Sequence, residues 1–245
     1  MKRSKAKDRS GSSERAGKSA GSTAKRSKAQ QGALFDLSQK GPDFSLEEAA
    51  MKRWCGLVAG VDEVGRGPLA GPVVTAAVIL DPSAIPEGLD DSKKLTEARR
   101  EVLFEAICAN AHVSIASASP QQIDALNIRG ATLWAMARAL EGLAVAPCYA
   151  LFDGRDVAPA SPCPGANVIK GDSRSVSIAA ASIVAKVARD HMMMRMGRAF
   201  PGYGFENHMG YGTKTHLDAL DRLGVTIHHR RSFRPIYERL EATKG

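Results

Sequence analysis

Four acids in this 245-residue sequence stand where they could do metal chemistry. Asp62 and Glu63 are adjacent in Gly60-Val-Asp-Glu-Val-Gly-Arg-Gly-Pro68, directly after an apolar run. Asp153 closes a second apolar run, Tyr149–Phe152, and Asp172 stands between Val168-Ile-Lys-Gly171 and a long Ala-rich stretch. Carboxylates are seldom buried unless paired or metal-bound. Ligands of open α/β sheets gather where strands end. Acids converging from such positions would offer an all-oxygen ligand set. That set suits Mg²⁺ or Mn²⁺, which keep several waters and take phosphate oxygens as further ligands. Blander readings stand beside this one. Asp62 and Glu63 could be a solvated strand end, and Asp172 a plain helix N-cap. Neighbouring strand residues face opposite sides. Asp62 and Glu63 can therefore share a site only if the strand ends or twists at Val64-Gly65.

The acids are followed at once by Gly65-Arg66-Gly67. Its glycines allow close backbone approach to a ligand, and Arg66 can fork onto a phosphate. Gly65, Gly67 and Gly71 do not make a dinucleotide fingerprint. Their spacing is wrong, and the run after them reads as strand where that motif needs a helix.

The elements that must hold these residues alternate. Ser45-Leu-Glu-Glu48 has capping-box form and opens a short helix to about Trp54. Strands are expected at Cys55–Val61, Pro72–Leu80, Val113–Ala118, Tyr149–Phe152 and Val168-Ile169. Helices are expected from Thr96 to about Ala109, over Pro120–Leu126 and Arg129–Leu143, and from Ser173 to about Met196. Two more fall at Thr213–Arg222 and Pro235–Ala242. Interleaved strands and helices define an α/β domain with one mixed sheet.

Composition limits the partners. No apolar run is long enough to span a membrane. The four cysteines, Cys55, Cys108, Cys148 and Cys163, have neither disulfide-framework nor zinc spacing, which points to reduced thiols in the cytoplasm. The net charge of +8 lies wholly in residues 1–32, with ten Lys/Arg against Asp8 and Glu14. The remaining residues carry 24 basic and 24 acidic groups, so the body must bind through local charge placement. Residues 1–32 read as a disordered basic tail, either solubilising or a nucleic-acid tether. Residues 33–54 read as a linker with the short helix, and 55–245 as the catalytic domain.

Six ordered blocks of this sequence resemble bacterial ribonuclease HII. They are GVDEVGRGPLAGPVV at 60–74, DDSKKLT at 90–96, ALFDG at 150–154, VIKGDSRSVSIAAASIVAKVARD at 168–190, GYGFENHMGYGTKTHL at 202–217 and HHRRSFRP at 228–235. The resemblance implies a ribonuclease H-like fold: a mixed five-stranded sheet flanked by helices, with a C-terminal helical extension. It implies cleavage of RNA in RNA–DNA hybrids and incision beside single ribonucleotides in duplex DNA. It places a four-acid site at Asp62, Glu63, Asp153 and Asp172, holding two Mg²⁺ or Mn²⁺ ions about 4 Å apart. It makes Gly65-Arg66-Gly67 the reader of the ribose 2′-hydroxyl and Tyr211 a ring that stacks on the neighbouring sugar, against a structural reading of the same tyrosine. Lys93, Lys94, Arg174 and the run His228-His229-Arg230-Arg231 become candidate phosphate contacts. His208 and His216 read as loop or structural histidines. The related ribonuclease HIII, which usually carries a folded N-terminal domain, is the alternative within the fold. A non-catalytic hybrid-binding module is the alternative outside enzymes. A monomer is expected. Gln30–Leu37 (QQGALFDL) has the rough form of a sliding-clamp peptide, or of an anchor onto the body.

Overall fold

The computed structural model describes residues 41–54 and 56–242, so the basic tail and Gln30–Leu37 lie outside the described residues. Strands β1 (Val58–Val64), β2 (Val73–Leu80), β3 (Ala111–Ala118), β4 (Tyr149–Asp153) and β5 (Gly165–Val168) form one sheet in the order β3-β2-β1-β4-β5. The first three strands pair antiparallel, while β1–β4 and β4–β5 are parallel. The sheet is therefore mixed and five-stranded, as expected.

Among the described residues seven α-helices accompany it: α1 (Ser45–Trp54), α2 (Glu97–Asn110), α3 (Pro120–Glu141), α4 (Val176–Ala199), α5 (Phe205–His208), α6 (Lys214–Leu223) and α7 (Arg234–Ala242). Alternation along the strands sorts the core into two layers. Ala59, Val61, Ala77, Ile79 and Phe152 pack with Leu133, Met136 and Leu140 of α3. Ala76, Val78 and Leu80 face Leu103 and Ile107 of α2 and Ala180, Ile183 and Val184 of α4. Helix α4 is buried along most of its length because small and apolar residues surround it on every side. Its first turn rides on β1 at Gly60, where a Cβ would collide with the Ser177 backbone. The C-terminal extension has its own core, in which Leu69, Met193, Tyr203, Phe205, Leu220 and Ile236 pack together.

Several local expectations need correction. Strand β1 does not stop before the acids but runs through them, with Asp62 opposite Ala76 and Glu63 opposite Thr75. The two helices expected between Pro120 and Leu143 are present within α3 and meet at Asn127, whose backbone is non-helical (φ 56°), with a Ser119–Gln122 capping box at the start. Strand β5 is shifted to Gly165–Val168. Ser45 and Glu48 form no capping box. Asp43 Oδ1 accepts from the Ser45 amide (3.0 Å), and Glu48 pairs with Lys52 across one turn. Helix α1 lies within the unit Lys40–Gly245, with Glu47 and Ala50 buried. Among the described residues no helix is long and apolar enough to cross a membrane.

Candidate active site

Asp62 is a buried carboxylate near the C-terminal end of β1, where that strand outruns its parallel neighbour β4. By alternation it points to the α4 side of the sheet, where the nearby Ser182 hydroxyl favours its charged form and contacts Ser92 Oγ at 2.9 Å. Its Oδ1 also accepts from the Glu63 amide (2.7 Å). Glu63 points to the α3 side. There it lines a cavity of about 120 Å³ with Arg129, Met136, Asp153 and Asp156, and pairs with Arg66 at 3.2 Å. The two adjacent acids thus stand on opposite faces of the central strand, next to its end at Val64. Asp153, at the end of the neighbouring parallel strand, couples electrostatically to both.

Asp172 reaches the group by a different route. It sits in a 3-10 turn, Gly171–Ser173, after a left-handed Lys170. The Gly171 amide donates to Asp153 Oδ1 (2.6 Å), which ties this turn to the end of β4. The N-cap reading of Asp172 is overturned: Ser175 caps α4, its hydroxyl accepting from the Ile178 amide. Glu47 of α1 braces the same cap. Its Oε1 accepts from Ser175 Oγ (2.5 Å) and the Ser177 amide (2.9 Å).

Burial, aided by Glu63 and Asp153, pushes the Asp62 carboxyl well above the usual range. Burial also raises Glu63, against the pull of Arg66. Asp172 is raised by burial, then by Asp91 and Asp153. Asp91 is a nearby acid that spacing did not single out. It belongs to the loop before α2, and its Oδ1 lies 3.5 Å from Lys93 Nζ. The same ammonium lies 3.6 Å from Asp172 Oδ2. Burial works to lower Lys93, but Asp91, Asp172 and Asp62 outweigh it and leave it raised. The protein's own cation thus marks a region of strong negative potential. Among the described residues no three acid, imidazole or thiol groups close into a metal cage. Glu63 leans to Arg66 and Asp153 to the Gly171 amide, and mutual repulsion opposes closer approach. The donor set is all-oxygen and short of positive charge, which fits hard divalent cations.

Beside the acids, the 65–72 segment is held by two buried guanidiniums. Arg230 donates to the carbonyls of Gly65 (2.5 Å), Arg66 (2.9 Å) and Gly71 (3.0 Å). Arg189 of α4 donates to Ala70, Pro72 and Met209 carbonyls. Gly65 has φ 89°, and a Cβ there would strike the Arg189 guanidinium. Glycine is required on both counts. Arg230 is fully buried, so it is no phosphate contact, and burial lowers it to about 9. His229 is likewise buried. Tyr211, 47% exposed, sits over the loop, its Cε1 at 3.5 Å from a Cβ built on Gly67. Lys94 is exposed and pairs with Asp90, and Arg174 is exposed at the end of the Asp172 turn.

A mixed sheet with acids at the C-terminal ends of β1 and β4, backed by one buried helix, defines a ribonuclease H-like nuclease. The family model described as Ribonuclease HII matches residues 59–237, and the chain belongs to that family, whose members are ribonuclease H endonucleases. A ribonuclease HII of Brucella canis is 58% identical over 219 residues, covering 89% of this chain and 99% of that protein. The ribonuclease H2 of Pyrococcus horikoshii superposes with a TM-score of 0.65 at 25% identity, over 77% of this chain and 99% of that one. The RNase HII of Archaeoglobus fulgidus, solved as a complex with PCNA, gives 0.63 at 27% identity, over 73% and 95%.

Proposed function

We propose that this enzyme cuts RNA in RNA–DNA hybrids and incises 5′ of single ribonucleotides embedded in duplex DNA, leaving a 3′-hydroxyl and a 5′-phosphate. The observation that carries this is the juxtaposition of a cation-deficient acid group with an arginine-pinned backbone loop and a half-exposed tyrosine. Asp62, Glu63, Asp153 and Asp172 would hold two Mg²⁺ or Mn²⁺ ions. When bound, those ions supply an activated water and charge stabilisation at the leaving oxygen. Asp62, central among the acids, would be a ligand of these ions. Lys93, standing at the rim, offsets negative charge and can reach a phosphate oxygen. Lys94 and Arg174 extend that reach along the backbone of the nucleic acid.

Discrimination must rest on the 2′-hydroxyl, the group that separates ribose from deoxyribose. Peptide units are planar and trans, so a carbonyl and the following N–H point in opposite directions. With the Gly65 and Arg66 carbonyls drawn inward to Arg230, the Arg66 and Gly67 amides face outward. Two fixed donors at an exposed, side-chain-poor surface suit recognition of a hydroxyl. The Tyr211 ring beside Gly67 would stack on the next sugar and favour a deoxyribose there. The Archaeoglobus complex supports a clamp contact for this chain too, with Gln30–Leu37 as the segment to test.

The test is cleavage of three duplexes, one with a single ribonucleotide, one a full hybrid and one all DNA, with and without a chelator. We expect metal-dependent cutting of the first two only. Tyr211→Ala should lower single-ribonucleotide cleavage by about tenfold or more, within the range of a lost base- or sugar-stacking contact. Cleavage of all-DNA duplex, or cutting that survives the chelator, would overturn the reading.

A further inference from the structure

The C-terminal extension buries a line of imidazoles that ends on the Tyr211 backbone. His229 Nδ1 lies 3.0 Å from the Thr226 amide, which can only donate, so Nδ1 accepts. In a neutral ring the proton then sits on Nε2. That atom faces His216 Nε2 at 3.1 Å, which must accept. The His216 proton is thereby forced onto Nδ1, where it is donated to the Tyr211 carbonyl at 2.9 Å. One fixed donor at Thr226 sets both tautomers. The rings are buried, and burial holds His229 down to about 4 and lowers His216, which keeps both neutral. His208 stacks on His216 with centroids 4.5 Å apart. Its own Nδ1 accepts from the Gly210 amide, and its Nε2 donates to the Tyr203 carbonyl (2.8 Å). The Tyr211 carbonyl uses its second lone pair on the Thr213 amide (2.8 Å). The Gly210 carbonyl accepts from Leu69 and Ala70, which joins this loop to the glycine-arginine-glycine segment.

We propose that His229 and His216 are positioning residues forming a one-directional hydrogen-bond relay from Thr226, which sets Tyr211 against Gly67 and so tunes the preference for single embedded ribonucleotides. The relay acts on the backbone of Tyr211 and touches neither the acids nor the nucleic acid. It rests on the reading of Tyr211 as a substrate contact. A relay built from neutral imidazoles delivers a donor to one carbonyl lone pair from a side chain that is itself oriented by a neighbour. A plain apolar residue would leave the ring free to shift with the 208–213 loop.

The experiment compares His216→Asn with His216→Leu. The two side chains have nearly the same shape, but only Asn can donate to the Tyr211 carbonyl. The protein carries 3-fluorotyrosine, and the Tyr211 ¹⁹F resonance, assigned by its loss in Tyr211→Phe, reports ring placement. Cleavage of the single-ribonucleotide duplex relative to the full hybrid reports preference. His216→Leu should shift or broaden the resonance and lower that ratio by about fivefold, the order expected for one lost buried hydrogen bond. His216→Asn should stay within about twofold of wild type on that scale. Should His216→Leu fail to fold, His229→Leu, which breaks the relay one step earlier, serves in its place and should shift the resonance likewise. An unmoved resonance in the Leu variant, or identical behaviour of Leu and Asn, overturns the relay. A moved resonance with an unchanged ratio upholds the relay's placement of Tyr211 and overturns its link to preference. If Tyr211→Ala also leaves the ratio unchanged, the fault lies in the reading of Tyr211 itself.

Discussion

Two regions of this molecule bury ionisable groups in opposite ways. At the C-terminal ends of β1 and β4, Asp62, Glu63, Asp153 and Asp172 share one neighbourhood with few compensating cations, and three of them are held above their usual range. In the neighbouring loop, Arg189 and Arg230 spread their charge over five backbone carbonyls of the 65–72 segment and one at Met209. One region is left electrically unsatisfied and the other is satisfied almost atom by atom. The first can gain free energy by binding cations. The second gains nothing from a ligand and serves as a rigid frame. A buried charge short of compensating partners is the stronger pointer to a ligand.

The sharpest way to break this contrast is at Arg230. Arg230→Leu leaves the Gly65, Arg66 and Gly71 carbonyls without their donor, at about 1–3 kcal/mol for each group left unpaired. We expect a loss of at least about 3 kcal/mol in urea unfolding, together with loss of cleavage. Arg230→Lys, a compact ammonium without the planar guanidinium fork, should lie between. Full stability in the Leu variant would mean that the frame is not held this way.

A smaller effect separates the regions by pH. His216 and His229 are lowered by burial, so their neutral forms stabilise the fold above about pH 6.5, and that contribution is lost as pH falls toward about 4 for His229. Asp62, Glu63 and Asp172 are raised, so the metal-free fold takes up their protons more readily than the unfolded chain does. The cost of burying their charges, and their repulsion, is present at neutral pH and relieved as pH falls through their raised values. The two regions therefore give slopes of opposite sign. In chelator, His229→Leu should flatten the loss of stability between pH 6.5 and 4, and Asp62→Asn should steepen it by removing the opposing gain. Identical slopes in both variants and wild type would contradict the assignment.

Much of the frame was legible from pattern. The β-branched run of β2 reads as a buried strand, and Thr96 and Thr213 cap α2 and α6 as their positions suggest. The four acids were visible because each closes an apolar run or precedes a helix. What spacing could not show is who meets whom across the fold. Arg230 looked like a phosphate contact because a charge run says nothing of burial, and its partners lie about 160 residues away. Glu47 was not singled out by its spacing, yet it is buried and braces the cap of α4 from 128 residues away. Asp91 was hidden among the charges of Asp90-Asp91-Ser92-Lys93-Lys94. The strand end expected before Asp62 is absent because Asp62 and Glu63 use opposite faces of one continuous strand, which alternation permits once Asp153 lies alongside.

The central claim is that the Asp62 carboxylate is retained for catalysis at the expense of the metal-free fold. It is tested most directly by measuring Asp62→Asn against wild type in two assays on the same preparations. One is single-turnover cleavage of a duplex with one ribonucleotide in Mg²⁺ and in Mn²⁺, and the other is chemical unfolding in chelator at neutral pH. We expect cleavage to fall by at least about a thousandfold, in line with loss of a group that holds the reaction's electrostatic machinery, while the unfolding midpoint rises. Retained cleavage in the variant, or a lower midpoint with the native fold intact, would contradict it.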